Sequence, residues 1–475
     1  MSPAPACDVA EIATAIATGT HSAESIVASC LARIAQWQPA INAFVQVDVE
    51  VAMSRARAAD RARAAGHELG KLHGVPIAIK DMFDRTDLSP GCGAGPARAE
   101  PGLLPATVIN RLERAGAIII GALNMTEYAL GLTGHNDHLG DACNPWAPAH
   151  VTGGSSSGPA IAVAARLVPA AIGSDTGASI RLPAAWCGVA GLKPTHGRVG
   201  ARGAMPMSFA LDTIGPLATT MRGAARVLSV IAGAEPGDAT AVTHRVADYE
   251  AALTARIDGL RIGVVEAYFG DNLDAGVAAA LDEAVRVLRS LGATITSVRL
   301  AHADLARRLH RLMMAAEAAT IHDQALRATP ERFTPEVRYR LELGRRVPAT
   351  AYLQAARGRG RLLRQFLAEG FDGVDALLTA LVPRPAPLRA RTRFGMPDFE
   401  PALLADIPKR TQPFNYLGLP ALAVPCGFVD GLPIGYQLVG KPFDEATLLT
   451  IGAAYERATD WHQRIPAPPH GDGRI

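Results

Sequence analysis

"HVTGGSSSGPAIAVAARLVPAAIGSDTGAS", residues 150–179, strings together a Gly-Ser loop, two apolar runs and a second small-residue turn. Flexible linkers lack apolar neighbours, yet here "PAIAVAARLVPAAIG" follows the serines at once. Pro159 suits the first turn of a helix, where its missing N–H costs nothing. Ser157 or Gly158 is then the expected N-cap. The loop therefore opens a buried, alanine-rich helix, and backbone N–H groups gather at its start, where negative charge is favoured. "VPAAIGSD" (168–175) reads as a buried strand ending in the turn "TGAS" (176–179). This order points to an α/β fold. It leaves three uses of the loop open: an anion cradle, an esterase-type nucleophile elbow, or another serine chemistry.

The same alternation extends outward. "GVPIAIK" (74–80) is a short apolar strand preceded by Gly. "PATVINRLERAG" and "AIIIGALNM" read as helix then strand, and "LRIGVV", "LDEAVRVLRSLGA" and "TITSVRL" as strand, helix, strand. Residues 8–37 read as two helices, with Asp8 and Ser22 as N-caps, Gly19 as a stop and "QP" ending the second. "PALAVPCGF", "LPIGYQLVG" and "DEATLLTIGAAYERA" close the chain as strand, strand, helix. The pattern predicts an α/β sheet covered by helices on both faces. The expected division is N-terminal helices at 1–64, a core at 65–235, an Arg-rich helical cap or insertion at about 301–387, and a return to the core at 400–475.

The 475 residues are 49% hydrophobic and 19% charged, a globular composition. A net charge of +2 argues against a nucleic-acid footprint, and the basic run "RGRGRLLR" (357–364) reads as a solvated helix face. No apolar stretch approaches the ~20 residues of a membrane span, and "MSPAPACDVAEIA" is not a signal peptide. Cys7, Cys30, Cys92, Cys143, Cys187 and Cys426 lack CxxC spacing, which fits thiols in a reducing cytoplasm. His135 and His138 lack a third partner for a metal, so none is expected.

Lysine is used sparingly: Lys71, Lys80, Lys193, Lys409 and Lys441 are all of it. Lys80 ends an apolar strand. Arg cannot give up its proton in a protein, but a desolvated Lys can, and a neutral lysine is a general base. The bland alternative is a structural Lys80 paired with Asp81 or Asp84. The turn at 176–179 lines up backbone N–H groups that can hold an oxyanion beside Ser179. Asp175 and Arg181 flank it, and a salt bridge holding the loop is the favoured reading of that pair.

Taken in order, "GVPIAIKD", "GGSSSG", "GSDTGASIRLPAAWCGVAGLKPTHGR", "ALDTIGP", "PFNYLGLPALAVPCG" and "LPIGYQLVG" resemble the amidase signature family of Ser–cis-Ser–Lys hydrolases. The likeness is dense over residues 65–235 and good over 400–465. It implies a single α/β domain with a mixed central sheet wrapped by helices and no cofactor, with Lys80 as base, Ser155 as bridging cis-serine and Ser179 as nucleophile. Thr176, Gly177, Ala178 and Ser179 become the oxyanion donors, one such donor being worth about 3–4 kcal/mol. Ser156 supports the network. The chain departs from the pattern where Ala178 replaces the usual Gly, which strains the turn if φ is positive there. It departs again at "GDACNPW" (140–146), which bears on the pocket rim; Cys143 there is read as incidental.

The expected substrates are small carboxamides, aryl or alkyl amides or carbamates, with ester cleavage as a side activity. The expected partners are such small molecules, with no nucleic acid and no membrane; a homodimer accords with the family. Two alternatives remain. One is the A-type glutaminase component of a tRNA-dependent amidotransferase. "SIRLPA" and "ALDTIGP" speak against it, since that branch commonly carries "SIRQPA" and "SLDQIGP". The other reads "GSSSG" (154–158) as an α/β-hydrolase elbow, with Ser156 as nucleophile and His196 or His462 as base.

Overall fold

The computed structural model describes residues 8–86, 88–95, 105–253 and 256–469. Cys7 and the start of the chain lie outside them. Eleven strands form one sheet: β1 Phe44–Val47, β2 Pro76–Lys80, β3 Ile118–Leu123, β4 Ala170–Ser174, β5 Ala190–Lys193, β6 Ile214–Ala218, β7 Arg261–Val264, β8 Thr294–Ser297, β9 Ala376–Ala380, β10 Ala421–Val429 and β11 Leu432–Val439. Their spatial order is β1-β3-β2-β4-β6-β5-β10-β11-β9-β7-β8. The pairs β3/β2, β2/β4, β9/β7 and β7/β8 are parallel and the rest antiparallel, so the sheet is mixed, as expected.

β2, β3 and β4 are buried along their whole length. Ile77, Ile79, Ile118, Ile119, Ile120 and Ile172 anchor them, each such side chain contributing roughly 1.5–3 kcal/mol when removed from water. Helices cover them: Ser157–Ala164 packs on β4, and Arg181–Cys187 packs on β10 and β11. Close approach depends on glycine at two places. A Cβ on Gly173 would stand 2.9 Å from Ser156 Oγ, and one on Gly158 2.5 Å from the main chain of Asn124. These glycines let the serine loop lie directly against β4.

The first helix, Val9–Thr18, is capped by Asp8 and stopped by Gly19 at φ 77°, as the sequence implies. The second, Ala23–Ile41, starts at Ser22 but runs through Gln38 and Pro39 to Asn42. Pro39 sits in the last turn, where a single lost N–H bond does not break the helix. The N-cap of Ser157–Ala164 is Ser156, one residue before the expected position. The region 301–387 is helical only in part. Ala303–Ala328, Pro335–Gly344 and Ala349–Gly370 are helices, but β9 within it joins the central sheet. A five-residue apolar run is too short to separate from helix by periodicity. Within "RGRGRLLR", Arg357, Arg361 and Arg364 are exposed, while Arg359 turns inward and donates to the Ala210 carbonyl at 2.8 Å. Among the described residues no helix is long and apolar enough to cross a membrane, and no cysteine is disulfide-bonded.

Candidate active site

β2 delivers Lys80 into the core with no solvent exposure. Its Nζ donates to Ser155 Oγ at 2.7 Å and to Ser174 Oγ at 2.8 Å. Burial pulls its pKa from 10.5 down to about 7, against the opposing pull of Asp212 and Asp175. Neither Asp81 nor Asp84 pairs with it; Asp81 accepts from the Gly91 and Gly93 amides instead. The expected alternative pairing of Lys80 with Asp81 or Asp84 is therefore not formed. Lys193 is a useful contrast: it too is fully buried and pulled to about 7, but its Nζ meets the Pro194 carbonyl and, among the described residues, no hydroxyl. Burial alone does not tell the two lysines apart; the two hydroxyls beside Lys80 do.

Ser155 follows a cis peptide after Gly154, and its carbonyl accepts from the Thr126 amide at 3.3 Å. Ser156 is fully buried. Its Oγ bonds to the Ser174 main chain, donating to the carbonyl at 3.1 Å and accepting from the amide at 3.3 Å. Its own amide donates to the Ser179 carbonyl at 3.2 Å, tying the serine loop to the turn that carries Ser179. Ser179 is 5% exposed. No hydrogen bond between the Ser155 and Ser179 hydroxyls is formed among the described residues; catalytic hydrogen bonds commonly tighten only in the complex with substrate.

The turn 176–179 is held from outside by its side chains and carbonyls. Thr176 Oγ1 donates to Asp212 Oδ1 at 2.5 Å, His310 Nε2 donates to the Thr176 carbonyl at 2.7 Å, and Thr411 Oγ1 donates to the Gly177 carbonyl at 2.5 Å. The amides of Thr176, Gly177, Ala178 and Ser179 have no acceptor among the described residues. Ala178 has no positive φ, so replacing the family's glycine strains nothing. Asp175 and Arg181 form a fully buried bidentate pair, Nε–Oδ2 3.0 Å and Nη2–Oδ1 3.1 Å. Asp175 Oδ2 also accepts the Ile180 and Arg181 amides. Burial would raise Asp175, but Arg181 outweighs it and holds the carboxyl at about 2. The pair props the turn, as favoured above.

The elbow reading finds no support. No strand runs directly into the loop, the Ser156 hydroxyl meets main chain, and among the described residues no imidazole bonds to it. His196 lies beside Gly418, and His462 offers its carbonyl to Arg166. His135 Nδ1 meets Asp141 at 2.9 Å and His138 Nε2 meets Glu127 at 3.3 Å. Cys143 accepts from Arg389 Nη1 at 3.5 Å, and burial pushes its pKa up, which does not favour a reactive thiolate. Ser174, Asp212, His310 and Thr411 were not legible as site residues. Ser174 stands next to Asp175 in the opening stretch and Asp212 in "ALDTIGP", but His310 and Thr411 carry no local signal.

A sheet of this topology, with a buried lysine touching a serine loop, matches known proteins along nearly its whole length. A family profile described as Amidase matches residues 25–449. The chain is 42% identical over 479 residues to the A-type component of the glutamyl-tRNA(Gln) amidotransferase of Chloroflexus aggregans, covering 95% of this chain and 96% of that one. Among solved structures, an inhibitor-bound s-triazine catabolic enzyme described in connection with a vestigial protein complex superposes with a TM-score of 0.88 at 34% identity, covering 95% of this chain and 98% of the other. A bacterial aryl acylamidase of the amidase signature family gives 0.88 at 25% identity, covering 97% and 98%. The chain belongs to the amidase signature family, enzymes that act on C–N amide bonds.

These relatives correct two expectations. The ranking that put a free-standing small-amide hydrolase above the A-type component of an amidotransferase is reversed, because Leu182 and Thr213 weigh little against identity spread over 95% of the chain. The exclusion of nucleic acid also falls. A net charge of +2 speaks only for contacts made by this chain itself, and the relative is named as one component of a glutamyl-tRNA amidotransferase.

Proposed function

We propose that this chain is the amide-hydrolysing, A-type component of a tRNA-dependent amidotransferase, releasing ammonia from a carboxamide donor through a Ser179 acyl enzyme. The observation that carries the chemistry is the buried 2.7 Å contact between Lys80 Nζ and Ser155 Oγ. With its pKa near 7, Lys80 is substantially neutral at neutral pH. Its lone pair takes the Ser155 proton as Ser155 takes that of Ser179. Ser179 Oγ attacks the amide carbon, and the amides of residues 176–179 receive the oxyanion. The proton returns through Ser155 to the nitrogen as the C–N bond breaks. Water then adds by the same relay and frees the acid. The amidotransferase role rests on the names of the curated relatives.

A second reading, a free-standing amidase, is favoured by Leu182 and Thr213, which stand where the amidotransferase branch commonly has Gln. The deciding experiment measures ammonia release from L-glutamine, and cleavage of small amides, carbamates and esters, by the chain alone and after copurification with its cellular partners. Partner proteins and tRNA in the purified material, with glutamine as the best donor, support the first reading. Partner-independent turnover of small amides with no glutaminase activity supports the second. Turnover that survives Ser179→Ala overturns the relay itself.

A further inference from the structure

Asp212, part-buried just before β6, grips the first residue of the 176–179 turn. β4 and β6 run antiparallel with Ser174 opposite Ile214, and the Asp175 amide donates to the Thr213 carbonyl at 2.8 Å. One step further along that register Thr176 meets Asp212, and the side chains bond, Thr176 Oγ1 to Asp212 Oδ1 at 2.5 Å. Asp212 Oδ2 accepts the amides of Met207 at 2.8 Å and Ser208 at 3.0 Å. One carboxylate thus closes the loop 207–212 and fastens it to the turn. The loop is fixed from its far side as well. Glu317, buried on the helix Ala303–Ala328, accepts from Ser208 Oγ and from the Ala210 amide at 3.1 Å, and Arg359 donates to the Ala210 carbonyl. The donors to Asp212 are a hydroxyl and two amides, and among the described residues no salt bridge neutralises it, whereas Asp175 spends its charge on Arg181.

Lys80 is the cation whose charge this carboxylate feels. Lys80 Nζ touches Ser174 Oγ, two residues before Thr176, so amine and carboxylate are held at the two ends of one short segment. Burial lowers the Lys80 pKa, and Asp212 opposes that fall more than Asp175 or the Cys92 thiol does. Burial pushes Asp212 itself up to about 6, against its three hydrogen bonds and Lys80. His310, on the Thr176 carbonyl, is kept neutral by burial, with its pKa down at about 4.

We propose that Asp212 is a positioning residue for amide cleavage: as a carboxylate it fixes Thr176, and with it the oxyanion turn, and it turns its negative charge toward the lysine that takes up the relay's proton. The proposal rests on the amide-hydrolase reading above. As Ser179 Oγ bonds to the substrate carbon, its proton passes to Ser155 and that of Ser155 to Lys80, so an ammonium and an oxyanion form together. Asp212 serves both charges. Its charge favours the ammonium through space, and its grip on Thr176 sets the turn before the oxyanion forms, so that no reorganisation is needed at the moment of reaction. Asp212 acts through Thr176 and Lys80 and needs no contact with the substrate.

The test separates the grip from the charge. Asp212→Asn keeps the size and an acceptor for the Met207 and Ser208 amides but removes the charge. Thr176→Val removes the hydroxyl and keeps the charge. Lys71, Lys80, Lys193, Lys409 and Lys441 are the only lysines, so a chain carrying 13C at the lysine side-chain terminus gives few NMR signals, and loss of one in Lys80→Met assigns Lys80. In Asp212→Asn the Lys80 signal and the acid limb of kcat/KM are both expected to move down by about one pH unit, as removal of a nearby opposite charge allows. Plateau kcat is expected to fall roughly 10–100-fold with KM little changed. Thr176→Val is expected to leave the Lys80 titration in place and to lower kcat roughly tenfold, as one lost hydrogen bond allows, with Thr176→Ser restoring it. A Lys80 titration unmoved by Asp212→Asn overturns the proposal, even where kcat and melting temperature fall, because that is the mark of a purely structural residue. A kcat unmoved by Thr176→Val overturns it too. The NMR arm needs no turnover and so separates this from the wider reading. A wild-type Lys80 that stays an ammonium up to pH 10 sinks the neutral-lysine relay, whereas the expected shift in a protein that cleaves no amide supports the placement of the Asp212 charge while the amide reading falls.

Discussion

At the scale of single residues, the decisive fact is a fully buried lysine held between two hydroxyls. An ammonium cannot accept a proton, so activity must follow the neutral amine. With the Lys80 pKa near 7, kcat/KM is expected to climb as pH rises through about 7 and level off above it, read from a pH–rate profile. Lys80→Met removes the base and is expected to cost ~10²–10⁴-fold in kcat. Lys80→Arg is expected to do no better, because a guanidinium stays protonated. The same burial predicts a gain elsewhere. Folding lowers the lysine pKa from 10.5 to about 7, so the unfolded chain binds the extra proton between those values. Wild-type stability therefore rises with pH across that window and is poorest below 7. Lys80→Met, lacking this penalty, is expected to be more stable than wild type by on the order of 1 kcal/mol at pH 6. The advantage should shrink toward pH 10, as measured by denaturant unfolding at each pH. A Lys80→Met protein that is both inactive and less stable at pH 6 would mean that the amine is paired structurally and not stored for chemistry.

At the scale of elements, the turn after β4 is shaped by groups remote in sequence. Asp175 and Arg181 brace it from beneath, and Thr411 and His310 hold its carbonyls. Asp175→Asn would leave Arg181 buried beside a neutral group, a change that typically costs about 3–5 kcal/mol. Because folding depresses the Asp175 pKa to about 2 from 3.8, its contribution is full above pH 4 and is lost as pH falls through about 2. Urea unfolding of wild type and variant at pH 7 and pH 3 checks both statements, the gap narrowing at the lower pH. Gly177→Ala is gentler: its Cβ would press on His310 Cε1 at 3.1 Å without needing a new backbone region. It is expected to lower kcat by roughly 10–100-fold with little change in KM or melting temperature, since a small misplacement near the reacting carbonyl is costly. This turn also shows what the sequence can and cannot reveal. Loop, strand, turn and Lys80 were legible because each is a local pattern: apolar runs closed by Gly and Ser. The cap by Ser156, the passage of a helix through Pro39 and the strand β9 were not, because short runs and helix ends are settled by packing. His310 and Thr411 reach the turn from more than a hundred residues away, and nothing in their own neighbourhoods announces it.

At the scale of the whole molecule, every group of the candidate relay belongs to this one chain. Lys80 comes from β2, Ser155 from the loop before the helix Ser157–Ala164, Ser174 from β4 and Ser179 from the following turn. The helical segment, through His310, and the C-terminal return, through Thr411, close around that turn. A chain that acts within a larger assembly can still hold a complete nucleophile, and the two possibilities separate cleanly in an acylation experiment. The isolated chain is expected to react with a serine-directed sulfonyl fluoride to one adduct per molecule, with fluoride leaving as Ser179 Oγ bonds to sulfur. Intact-mass and peptide mass spectrometry would place the adduct on Ser179, absent in Ser179→Ala and strongly slowed in Lys80→Met. The rate should rise with pH through about 7, following the same lysine that governs turnover. Labelling that required added partner proteins would show that the nucleophile is incomplete in the chain alone. Labelling of Ser155 or Ser156 in place of Ser179 would show that the order of the relay is wrong. Prompt labelling of Ser179 without partners, combined with glutaminase activity only in their presence, would place the partners' contribution in donor binding and not in the bond-making groups.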